Sequence, residues 1–113
     1  MSRPLSLLAL VASCLLAACA PDALNSRAAT GFNAFLNTIA TQCAPLQLGR
    51  NQMSRMILYN DIGDTDAYNY FLDQTSRLYY RTLSPAQYAS SINGFYEGPS
   101  AAVDCILSKL PPQ

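Results

Sequence analysis

The apolar positions fall into one unbroken run followed by a series of short periodic stretches. Leu5 to Ala18 is uncharged and apolar, follows a lone Arg3, and has no polar face at any helical period. The run is too short to span a bilayer, which takes about 20 apolar residues. A short basic start, an apolar run and small residues at its end predict a secretory signal peptide over residues 1–18. Beyond it, residues 25–43 place Ala28, Phe32, Phe35, Leu36, Ile39, Ala40 and Cys43 on one helical arc, and Pro45 ends that helix near Ala44. Residues 50–60 read two ways. Met53, Met56 and Ile57 fit a helix face, and Met56 to Tyr59 also fits a short strand. Ile62-Gly63 then breaks the chain.

Residues 64–81 carry the clearest helical pattern. Asp64 is a good N-cap and Asp66 suits the first turn. Ala67, Tyr68, Phe71, Leu72, Thr75, Leu78 and Tyr79 share one arc; Asn69, Tyr70, Asp73, Arg77, Tyr80 and Arg81 share the other. Ser84-Pro85-Ala86-Gln87 is a capping box with Pro at the first helical position. It predicts a helix that buries Tyr88 and Ile92 and stops at Asn93-Gly94. Gly98-Pro99 predicts the start of a last helix, lined by Ala102, Val103, Ile106, Leu107 and Leu110, with Cys105 on its flank. The expected fold is all-α: a small bundle of four to five short helices in a single domain over 25–110, with a non-helical tail at 111–113.

Composition narrows the function classes. Seven basic residues balance seven acidic ones, so the chain lacks the basic surface a nucleic-acid binder needs. There is no His, which removes the commonest general base and the commonest metal ligand together.

Leu16-Ala17-Ala18-Cys19 resembles the lipobox of bacterial lipoproteins. The resemblance implies that Cys19 becomes the first mature residue and carries the lipid, with 19–24 as a tether. Ala20, rather than Asp, implies sorting to the outer membrane. Ordinary cleavage after Ala20 would leave Pro21 just past the cut, a poor fit to the usual pattern. Several acyl chains on one Cys anchor firmly where one chain is marginal. Cys14 leaves with the signal and Cys19 is lipidated, so Cys43 and Cys105 remain as a pair. Beyond the inner membrane a disulfide joining the first and last helices is the direct expectation. It closes a loop of about 60 residues, worth on the order of 4 kcal/mol in the chain-entropy model. Metal or redox roles for the pair lack a Cys-x-x-Cys and a His partner.

Candidate chemistry is sparse. Asp61, Asp64 and Asp66 invite a calcium loop, but counting from Asp64 puts Asn69 at position six and Thr75 at position twelve. An EF-hand needs Gly and Glu there, so capping explains these acids better. Lys109 is the only Lys and Glu97 the only Glu, so no base stands beside a nucleophile. No enzymatic activity, cofactor, metal or small-molecule substrate is expected. Met53 and Met56 are expected in the core. Tyr70, Arg77, Tyr80 and Arg81 fall on the polar side of their helix and combine the residue types enriched at interface hot spots. They are the candidate partner-binding residues.

The layout of lipobox, first helix ending in Cys43, central helix with Thr75-Ser-Arg-Leu-Tyr-Tyr80 and last helix carrying Cys105 is similar to that of the small helical pilotins of type II secretion. That resemblance implies binding a short segment of an outer-membrane secretin. The helix at Ser84–Gly94 is an addition to that layout. The functional expectation is a non-enzymatic protein-binding lipoprotein, pilotin-like or an envelope-assembly factor, at the periplasmic face of the outer membrane. An immunity or inhibitor protein against a toxin, or a structural envelope lipoprotein, fits the same features.

Overall fold

The first helix, α1, covers residues 31–42 and buries Phe35, Leu36, Ile39 and Ala40 at the three- and four-residue spacing its sequence sets. These coordinates come from a computed structural model that describes residues 31–112. The expected signal peptide, Cys19, the tether and the 25–30 portion of the first helix lie outside the described residues, as does Gln113. Cys43 follows α1 in a turn that leads through Pro45 to Leu46.

The next element departs from the all-α expectation. Two short strands, β1 (Gln47–Leu48) and β2 (Asn51–Gln52), pair antiparallel, with Gln47 opposite Gln52 and Leu48 opposite Asn51. Gly49 and Arg50 form the connection. Gly49 has φ 59°, and the positive φ at the first of two loop positions is what a type II′ hairpin turn takes. The hairpin leads directly into α2 (Met53–Tyr59), so Met56 to Tyr59 is helix, not strand. Met53, Ser54 and Met56 are its buried residues. Ser54 satisfies its hydroxyl by donating to the Ala40 carbonyl at 2.7 Å.

α3 (Thr65–Tyr79) begins as its sequence predicts: the Asp64 side chain accepts from the Ala67 amide at 3.1 Å. Its buried stripe is Ala67, Phe71, Thr75 and Leu78. α4 (Pro85–Phe95) carries the expected capping box between Ser84 and Gln87. It runs through Gly94 to Phe95, past the predicted Asn93-Gly94 stop. The reason is that Glu97, at φ 58°, takes the left-handed position, and the Gly98 amide bonds back to the Asn93 carbonyl at 2.6 Å. α5 (Ala101–Ser108) starts two residues later than Pro99 predicts. Ser100 is its cap, accepting from the Ala102 amide at 3.1 Å, and Pro99 stands outside the helix after a cis peptide bond.

These five helices and the hairpin enclose one core, centred on Ile39, Leu48, Met53, Phe71, Leu78, Tyr88, Ile92 and Ile106. The mostly helical architecture is therefore as expected, with a strand pair added. The Cys43–Cys105 disulfide ties the turn after α1 to α5 across a Cα–Cα distance of 5.8 Å. Among the described residues no helix is long and apolar enough to cross a membrane.

Candidate functional site

The four residues expected on one face separate into two places. Tyr70 leaves the group. It lies half-buried at the α3–α4 seam, stacked on Phe95 with ring centroids 3.9 Å apart. Its hydroxyl donates to the Ser91 carbonyl at 3.4 Å. Helical periodicity puts Tyr70 on the polar arc of α3, but α4 packs along that side and covers it.

Tyr80, Arg77 and Arg81 stay together at the C-terminal end of α3. There they meet the start of α1. Phe32 lies 5.8 Å from the Tyr79 ring and 6.1 Å from the Tyr80 ring, and the two tyrosines meet edge to face at 5.0 Å. Arg77 pairs with Asp73 at 3.2 Å across one helical turn, both half-exposed, a contact worth a few tenths of a kcal/mol. Arg81 closes the helix. Its φ is 64°, its amide bonds to Leu78 at 3.2 Å, and the Thr82 amide bonds to Arg77 at 2.9 Å. That is a Schellman ending, with Arg at the position Gly usually holds. The Arg81 guanidinium also donates to the carbonyl of Pro111, which brings the C-terminal segment to the same end.

A second surface was not foreseen. Leu58, Tyr59 and Ile62 are 40%, 75% and 37% exposed at the α2–α3 junction, and Tyr59 is the most exposed large apolar residue described. The signal was present in the sequence as the run Met56-Ile-Leu-Tyr59. Four consecutive large apolar residues on a helix cannot all face one core, so a two-turn helix must expose some of them. Asn60, at φ 54°, ends α2, and the Arg55–Asp61 ion pair at 2.8 Å spans that turn. The pair is exposed and adds little stability.

The two surfaces lie at opposite ends of α3. Fifteen helical residues separate Ile62's side from Tyr80's by roughly 22 Å. Their charges differ. Asp61, Asp64, Asp66 and Glu97 against Arg50 and Arg55 surround the α2–α3 end; Arg77, Arg81 and Lys109 against Asp73 mark the other. The three clustered acids thus have separate tasks: Asp64 caps α3, Asp61 pairs with Arg55, and Asp66 sits in the first turn of α3.

A cleft of about 530 Å³ opens beside the disulfide and is lined by Cys43, Pro45, Gln47, Pro99, Ser100 and Cys105. A smaller one, about 280 Å³, lies between the hairpin and the C-terminal end of α4, with Arg50, Asp64 and Glu97 on its walls. Burial raises the phenol pKa of Tyr88 and of Tyr96 well above 10.0, so both rings are neutral core members. Compared with protein-family models, curated proteins and solved structures, the chain finds no match.

Proposed function

We propose that this chain is a lipid-anchored protein of the periplasmic face of the outer membrane whose helical domain holds a protein partner and catalyses no reaction. The observation that carries the docking role is the exposed cluster of Leu58, Tyr59 and Ile62. Large apolar side chains this exposed and this close in sequence are a common mark of a partner surface. The Cys43–Cys105 disulfide supports the compartment, because such bonds persist outside the reducing cytosol. The lipobox-like Leu16 to Cys19 supports the anchor. The absence of His and the single Lys and Glu support a role without catalysis. The similarity in layout to pilotins makes a short secretin segment the first partner to test.

The test places a photo-crosslinking phenylalanine analogue at position 59 in intact cells. One discrete adduct is expected, reduced about tenfold by Leu58→Asp or Ile62→Asp in a protein that still folds. Cys19→Ser should move the protein from the outer-membrane to the soluble periplasmic fraction. No adduct from position 59 overturns the docking role. Unchanged fractionation of the Cys19→Ser variant overturns the anchor.

A further inference from the structure

The docking reading leaves the opposite end of the domain unused, and that end carries its own chemistry. We infer that the surface built from Phe32, Tyr79, Tyr80 and Arg81 is the face this domain lays on an anionic phospholipid surface. The inference rests on the anchored reading above.

Two observations converge on it. The first is position. Phe32 of α1 lies thirteen residues after Cys19, a stretch that spans at most about 45 Å. A lipid on Cys19 therefore keeps the domain within that distance of the bilayer surface. Weak surface contacts of the domain then act as intramolecular ones, at high effective concentration.

The second is composition. Tyrosine suits the membrane–water boundary, with an apolar ring and a polar tip. Tyr80 is 44% exposed, and Phe32 and Tyr79 are half-buried beside it. Arg77, Arg81 and Lys109 outnumber Asp73 at this end. Arg81 donates to a neutral carbonyl, so its charge is not cancelled by that contact. Each basic side chain near an anionic surface strengthens binding about fivefold. The acidic majority at the α2–α3 end is repelled by the same surface, so the charge asymmetry orients the domain.

The chain has no Trp, so single replacements give clean fluorescent reporters. The full acylated protein carrying Tyr80→Trp is reconstituted in 3:1 phosphatidylethanolamine/phosphatidylglycerol vesicles containing brominated lipid. Tyr59→Trp is the comparison, and Thr82→Trp replaces the first reporter if Tyr80→Trp does not fold. Emission from position 80 or 82 should be blue-shifted and quenched at least threefold more than emission from position 59. Arg81→Glu should reverse much of that difference. Equal quenching at both ends, or stronger quenching at 59, overturns the inference while leaving the anchor intact. Shielding of the position 80 reporter from aqueous iodide only when envelope protein is added, with no lipid quenching, also overturns it and gives this end to a protein. Intact mass reports the anchor separately: an unacylated Cys19 overturns both readings together.

Discussion

Thr75 and Tyr88 show how a polar pair can sit at the centre of this core. Both are fully buried, and their hydroxyls meet at 2.9 Å, so each satisfies the other. Tyr96 is 7% exposed, and its hydroxyl donates to the Ala67 carbonyl, fixing the end of α4 against the start of α3. Burial holds both phenols in the neutral form, with their pKa above the ordinary 10.0. In the unfolded chain they return to that ordinary value. Below pH 10 both states keep the protons, and this contribution to stability is complete. As the pH rises above 10, only the unfolded chain releases them, so stability falls. Urea midpoints should therefore be nearly flat from pH 7 to 9 and drop steeply above 10. Absorbance at 295 nm should show Tyr88 and Tyr96 releasing their protons only with unfolding. Ordinary ionisation of both in the folded protein would contradict this account of the core. That Tyr88 is buried was legible from its place in the helix after the capping box. The Thr75 partnership was half legible: spacing put Thr75 on the buried arc, but only α4's approach supplies the second hydroxyl.

The starts of α3 and α4 proved easier to read than their ends. Asp64 and Ser84 announce α3 and α4 because a cap is a side-chain hydrogen bond, written in the residue type. The ends of the same helices depend on which residue turns left-handed, and here that is Arg81 and Glu97, not a glycine. Gly94 misled for that reason: it continues α4, and the turn comes three residues later. Glu97→Gly should therefore stabilise the domain by about 0.5 kcal/mol, as relief of the left-handed strain exceeds the added freedom of the unfolded chain. A higher thermal midpoint with unchanged helix content would support this. A lower midpoint would mean that Glu97's carboxylate matters beside Arg50 and Asp64 in the cleft they share. The β1–β2 hairpin escaped sequence reading because two-residue strands are too short to show an alternating pattern. Their one sequence cue, Gly49, is a common turn residue, and its positive φ became visible only in three dimensions. The exposed Leu58, Tyr59 and Ile62 were hidden by the same ambiguity, since Met56 to Tyr59 read equally as strand or helix. For a strand, alternation would bury half the run. For the two-turn helix that forms, the outer half, Leu58 and Tyr59, is left exposed.

At the scale of the whole molecule, the hydrophobic core and one covalent bond share the work of holding α1 to the rest. α3, α4 and α5 follow one another through short connections, so their packing costs little loop-closure entropy. α1 is different: the turn after it must meet α5 across 62 residues. The Cys43–Cys105 bond removes that search from the unfolded chain, with an effect of about 4 kcal/mol in the entropic account. A domain of this size is stable by roughly 4–12 kcal/mol in all. Replacing both cysteines, as Cys43→Ala with Cys105→Ala, should thus lower the urea-unfolding free energy by about 2–4 kcal/mol and bring the domain near its threshold at 37 °C. Reducing the native protein should give the same loss without any change of side chain, which separates the cross-link from the packing of the two sulfurs. Equal midpoints for the oxidised and reduced forms would show that burial of α1's stripe of Phe35, Leu36 and Ile39 suffices alone. The expected loss also bears on the two-ended reading of the surface. The bonded residues, Cys43 and Cys105, belong to neither surface. A reduced domain that still folds at low temperature should keep each surface's contacts there and lose both together as it melts, whereas loss of one alone on reduction would place the bond within that surface's own structure.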